Sequence, residues 1–245
     1  MTSSVEVNGL TKDFGPTRAL DDATFDVRSG EIFGLLGPNG AGKTTTMRIL
    51  LTLLKPTAGH ARVAGFDVVR DPVRVRSRVG WVPQERTVDP LLTAMENLTF
   101  MGGMYHLAPR AARQHAAELL QLAGLAEHAG RVARDLSGGM RRKLELAMSM
   151  VSVPVVLFLD EPTLGLDIAA RRNLWAYVRQ IRDRGTTIVL TTHYLEEADA
   201  LCDRVAIIDR GQIRATGQPA QLKQAYQVRS LDDVFLAATG QELVA

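Results

Sequence analysis

Short apolar runs alternate with amphipathic stretches along this chain, and the alternation predicts its elements. Residues 5–10 and 23–27 read as short strands, and residues 32–36 form a compact apolar run that ends at Gly37. A helical period follows over 44–54, with Met47, Leu50, Leu51 and Leu54 on one face, until Lys55-Pro56 stops it. Residues 78–82 read as another strand. From about 88 to 152 the pattern turns helical. Thr93 and Glu96 have the spacing of a capping box at a helix start, and 114–122 and 143–151 read as two further helices. Strands return at 155–159, 187–190 and 205–208. A helix over 169–183 separates the first two, and Gly185 is placed to end it. The tail from Pro219 reads as two short helices. Apolar strands alternating with helices predict a parallel sheet covered on both faces. The 88–152 stretch then reads as a helical subdomain inserted into an α/β core.

Composition changes this picture little. The 245 residues carry 29 Lys and Arg against 27 Asp and Glu, spread along the chain, so no nucleic-acid footprint is expected. The single cysteine, Cys202, excludes an intrachain disulfide and suits a reducing compartment. The first nine residues lack the apolar segment of a secretion signal, and no apolar run reaches the ~18–20 residues of a spanning helix. A soluble, cytoplasmic chain is expected, with any membrane contact made through a partner.

Three motifs carry chemistry. Residues 37–44 read GPNGAGKT, a G-x-x-x-x-G-K-[ST] loop between a predicted strand and a predicted helix. The glycines let main-chain N–H groups of Gly40 to Thr45 close around phosphate oxygens. The helix start adds its positive dipole end. Lys43 is then placed for the β- and γ-phosphates, and the Thr44 hydroxyl for Mg²⁺. Residues 155–161 read VVLFLDE, a buried strand ending in two carboxylates. Asp160 suits Mg²⁺ held through water, and Glu161 suits a general base for water attacking a γ-phosphate. Residues 136–140 read LSGGM, a Ser-Gly-Gly at a helix start, which is a second anion site.

In order, GPNGAGKT, Gln84 in WVPQE, LSGGM, VVLFLDEP and His193 in LTTH resemble an ATP-binding-cassette (ABC) nucleotide-binding domain over nearly the whole chain. That resemblance implies a P-loop NTPase core with a mixed sheet, an N-terminal antiparallel β subdomain and an inserted α-helical subdomain. The domain would span residues 1–230, with 231–245 a short C-terminal tail. It implies ATP and Mg²⁺ as cofactors, with nucleotide contacts at Gly37, Asn39, Gly40, Ala41, Gly42, Lys43, Thr44 and Thr45. Gln84 would touch Mg²⁺ and sense the γ-phosphate, alongside Thr44 and Asp160 as metal ligands. His193 would bond the γ-phosphate and orient Glu161, giving Lys43, Glu161 and His193 as the catalytic set. Asp167 would lie at a dimer interface, and Phe14 would stack on adenine. Two positions depart from the usual pattern: Met140 replaces a Gln, and Phe14 replaces a Tyr.

The same resemblance implies that two copies sandwich ATP, with Ser137, Gly138 and Gly139 of one completing the site of the other. The flanking text ALDDATFDVRSGEIFGLLGPNGAGKTTTMRIL and the tail LDDVFLAATG are similar to ATPases of the daunorubicin-resistance type. Those energise export of drugs, lipids or other hydrophobic compounds through a separate six-helix permease, on the inner face of the cell membrane. Soluble ABC ATPases of DNA repair or translation usually carry a long coiled coil or two cassettes, and this sequence has neither. Residues 88–110, rich in Met and aromatic side chains (Phe100, Met101, Met104, Tyr105), are the expected docking region for the permease.

Overall fold

The computed structural model describes residues 3–240. An N-terminal hairpin joins β1 (Ser3–Phe14) to β2 (Thr17–Arg28). The buried strand β3 (Ile32–Leu36) leads into α1 (Lys43–Leu50), followed by β4 (Ala58–Val63), β5 (Phe66–Asp67), α2 (Pro72–Arg76) and β6 (Val79–Val82). Helices α3 (Ala94–Met104), α4 (Pro109–Leu122) and α5 (Gly138–Ser149) come next. The core resumes with β7 (Val156–Asp160), α6 (Ile168–Asp183), β8 (Thr187–Thr192), α7 (Leu195–Leu201) and β9 (Arg204–Asp209). The chain closes on β10 (Gln212–Gly217), α8 (Pro219–Ala225) and α9 (Leu231–Thr239).

Two sheets result. One is antiparallel in the order β2-β1-β4-β5, and the other runs β10-β9-β3-β8-β7-β6. Strands β9, β3, β8, β7 and β6 are parallel, while β10 pairs antiparallel with β9, so the larger sheet is mixed. Side-chain alternation along β3 divides the core. Phe33 and Leu35 face the antiparallel sheet and α1, and Ile32 and Leu36 face the helical side. Every residue of β3, β7, β8 and β9 is buried, as expected of strands covered on both faces.

The sequence pattern misses β4 and β10 because both are half-exposed and carry few apolar residues. It also carries α1 too far. The helix ends at Leu50, Thr52 takes φ +63°, and Leu53 N returns to Arg48 O at 2.8 Å. Helix α5 begins at Gly138 rather than Lys143, because Ser137 Oγ accepts from Met140 N at 3.2 Å and caps it. The capping box of α3 forms as the sequence predicts, with Thr93 and Glu96 satisfying each other's main-chain N–H groups. Within the stretch read as a tail, Leu231 and Val234 of α9 are buried in the helical-side core, and residues 241–245 lie outside the described residues.

Candidate active site

The loop from Gly37 to Gly42 joins β3 to α1 at the C-terminal edge of the parallel strands. A side chain at Gly37 would meet Ile208 O at 2.2 Å. Gly42 takes φ +111°, and a Cβ there would meet Ala19 O at 2.8 Å. Only glycine fits at these two positions. The loop walls a cleft of about 440 Å³, lined by Asn39, Gly40, Gly42, Lys43, Thr44 and Thr45, with Gln84, Glu161 and His193 on the opposite side.

Lys43 is only 5% exposed. Its Nζ donates to Gly37 O at 2.7 Å and Pro38 O at 3.0 Å, and stands 3.8 Å from Glu161 Oε1. Burial lowers its pKa, against the opposing pull of Glu161 and Asp160. A buried ammonium held largely by carbonyls favours an incoming polyanion, which restores the lost solvation.

Asp160 ends β7, and its Oδ1 accepts from the Thr191 hydroxyl. Glu161 follows at φ +45°, a left-handed conformation that costs a non-glycine residue on the order of 1–3 kcal/mol. Its N–H donates to Thr191 O at 3.1 Å, which holds the turn. The strain aims the carboxylate into the cleft, where His193 Nδ1 lies 3.1 Å from Glu161 Oε1. That contact is close but off-axis: His193 Nδ1 completes no aligned hydrogen bond. The catalytic set read from the sequence thus converges, with Glu161 Oε1 between Lys43 and His193.

Thr44, Gln84 and Asp160 line one narrow neighbouring cleft of about 120 Å³. Among the described residues no group of three or more His, Cys, Asp and Glu gathers as a metal site. This hydroxyl, amide and single carboxylate are hard oxygen donors. They fit an ion that takes its remaining ligands from phosphate and water, as Mg²⁺ does.

The remaining predicted residues stand apart from the cleft. Ser137 and Gly138 are exposed at the start of α5, and Gly139 is half-buried behind them. Asp167 caps α6, its Oδ1 accepting from Ala170 N at 2.8 Å. Phe14 is 49% exposed at the β1–β2 hairpin, beneath the Lys12 ammonium. Ala41 and Gly37 shape the loop from behind it.

Sequence reasoning missed the supports. Thr191 holds both carboxylate positions. Glu197 is 1% exposed and accepts from Trp175 Nε1 at 3.0 Å. Burial pushes the Glu197 carboxyl up, against the hydrogen bond from Trp175. That bond ties α6 to α7, the helix that follows His193. The LTTH string contains Thr191, and its place two residues before His193 is the one available signal.

Residues 20–164 match the ABC transporter family. The chain belongs to that family. It is an ATP-binding, ATP-hydrolysing subunit of the ABC type. It is 47% identical over 224 residues to the daunorubicin/doxorubicin resistance ATP-binding protein DrrA of Streptomyces peucetius, covering 91% of this chain and 68% of that one. It is 45% identical over 221 residues to the Nod factor export ATP-binding protein I of Ralstonia nicotianae, covering 90% and 69%. Among solved structures it resembles an ABC transporter ATP-binding subunit at TM-score 0.83 and 28% identity, over 97% of this chain and all of that one. It also resembles the ATP-binding cassette MJ0796, a dimer with ADP and Pi bound, at TM-score 0.76 and 25% identity, over 87% and 98%. ABC subunits of this kind pair with each other and work with membrane permeases. Among the described residues no helix is long and apolar enough to cross a membrane.

Proposed function

We propose that this ABC subunit drives export of a hydrophobic compound, a drug or lipid, through a separate six-helix permease on the inner face of the cell membrane. The names of its drug-resistance and Nod-factor export relatives support the direction and the substrate class. A groove of about 390 Å³, lined by Leu51, Leu53, Trp81, Met101, Tyr105 and Met148, supports permease docking beside the predicted 88–110 region. The domain reading that accompanies this is one nucleotide-binding domain over 1–230, with the helical subdomain inserted at about 88–152 and a short tail over 231–245.

In the proposed mechanism, the triphosphate lies along the Gly37–Thr45 loop of one copy and meets Ser137, Gly138 and Gly139 of a second copy. Phe14 stacks on adenine, and Asp167 faces the second copy. Mg²⁺ held near Thr44, Gln84 and Asp160 would neutralise the β- and γ-phosphates. Lys43 leaves its two carbonyl partners to bond phosphate oxygens. Glu161 takes a proton from the attacking water as its oxygen bonds the γ-phosphorus and the bridging P–O bond to ADP breaks. His193 holds Glu161 and the γ-phosphate in register. The second copy excludes bulk water and supplies contacts available only when closed, so ATP shifts the pair toward closure.

The observation that carries this reading is the convergence of Lys43 and His193 on Glu161 at the mouth of the cleft. Glu161→Gln tests it. The variant is expected to bind ATP, lose turnover by about 100-fold or more, and run as an ATP-dependent dimer on size exclusion. Wild-type turnover in the variant would remove Glu161 as the base.

A further inference from the structure

One buried ion pair on α5 grips the loops on both sides of the catalytic centre. Arg142 Nη1 lies 2.7 Å from Glu145 Oε2, one turn along the helix, and both side chains are buried. The same guanidinium reaches two other segments. Its Nη1 donates to Pro83 O at 2.9 Å, its Nε to Pro162 O at 2.9 Å, and its Nη2 to Asp160 O at 3.1 Å. Glu145 Oε1 accepts from Thr87 N at 3.4 Å.

The placement is specific. Pro83 and Thr87 bracket Gln84, and Asp160 and Pro162 bracket Glu161. Gln84 is itself exposed, so its position depends on the main chain held at these two points. Glu161 sits in a left-handed turn whose carbonyl on each side is fixed by one guanidinium. A buried ion pair is a poor source of stability, since apolar residues of the same volume often serve as well. A planar fork of fixed N–H directions, however, can hold carbonyls of two different loops at once, which an apolar side chain cannot do and a lysine's rotatable ammonium does without fixed direction.

We infer that Arg142, oriented by Glu145, is a positioning residue for ATP hydrolysis. It fixes the Gln84 loop and the Glu161 turn to α5, whose N-terminus carries Ser137 to Gly139. Each subunit's hydrolytic geometry is thereby set by how its own α5 is seated. The link to the second copy's nucleotide rests on the proposed contact at Ser137. The link between Arg142 and the two loops does not.

The test is Arg142→Lys in the full chain, with steady-state ATPase kinetics. Lysine keeps the charge opposite Glu145 and loses the fork. The expected result is KM for ATP within about twofold of wild type and kcat lower by roughly 10- to 100-fold, the scale of a small misplacement of reacting groups. If Arg142 acts through Gln84, the losses do not multiply: Gln84→Ala with Arg142→Lys turns over within about threefold of Gln84→Ala alone. An unchanged kcat in folded Arg142→Lys overturns the inference. So does a loss that multiplies fully with that of Gln84→Ala and also with that of Glu161→Gln, or a KM that rises in step with lost thermal stability. Should Arg142→Lys fail to fold, Glu145→Gln enters the same cycle with the same expectations. Equilibrium dialysis with ATP separates the two levels. Wild type binding no more ATP than Lys43→Ala would sink the phosphate-loop reading. Normal ATP binding with full turnover in Arg142→Lys sinks only this one.

Discussion

At the residue scale, the site is built from groups placed where solution chemistry would not put them. Lys43 is a buried cation facing carbonyls, Glu161 is a non-glycine residue at φ +45°, and Glu197 is a carboxyl sealed from water. The first two were legible, because a phosphate loop and a strand ending in Asp-Glu leave few other readings. Thr191 and Glu197 were not, since a threonine in a strand and a glutamate in a helix gain meaning only from what folds against them. Glu197 yields a pH prediction. Burial raises its carboxyl above the ordinary range, so the folded chain holds this proton more tightly than the unfolded chain. The stability it contributes is complete at pH values below the unfolded carboxyl's range, and it is lost as pH rises through the raised folded value. Glu197→Gln removes the titration and keeps an oxygen for Trp175 Nε1. Thermal melts of the two proteins are expected to coincide near about pH 4 and to separate near about pH 8, where the variant melts higher. A variant that melts lower at both pH values would show the carboxylate to be stabilising as an anion.

At the element scale, the strong signals were chemical punctuation rather than hydrophobic period. The Thr93–Glu96 box was read from its spacing and forms in full, with Thr93 Oγ1 accepting from Glu96 N at 3.1 Å and Glu96 Oε2 from Thr93 N at 2.8 Å. The start of α5 was misplaced because two glycines at its first positions hide a helix that Ser137 caps. That error matters, since the cap turns LSGGM into a helix end with exposed N–H groups. Strands β4 and β10 escaped because a half-exposed edge carries little apolar pattern. Thr93→Ala breaks one box without touching the nucleotide cleft. It is expected to destabilise by about 1 kcal/mol, a fall of roughly 2–4 °C in Tm for a chain of this size, with KM for ATP unchanged. Calorimetry alongside an ATPase titration checks both parts, and a change in KM at unaltered Tm would contradict the assignment.

At the scale of the whole molecule, two cores share one sheet, and the chemistry sits where the parallel strands end. The antiparallel sheet and α1 pack on one face, and the helices pack on the other. The α/β core and its helical insertion were readable from alternation alone. The antiparallel sheet comes only with the family resemblance, because its strands pair at sequence distances that periodicity does not reveal. The exposed Ser137 end of α5 points to the central claim, that each nucleotide site is shared between two copies. Mixing two inactive variants tests that claim most directly. Lys43→Ala spoils one cradle and leaves its Ser-Gly-Gly intact, while Ser137→Arg does the reverse. Each alone is expected to be nearly inactive. Their mixed dimers restore one whole site per pair, so an equal mixture is predicted to hydrolyse ATP well above either variant, up to about a quarter of wild type if pairing is random. A mixture no more active than the average of its parts would contradict the shared site.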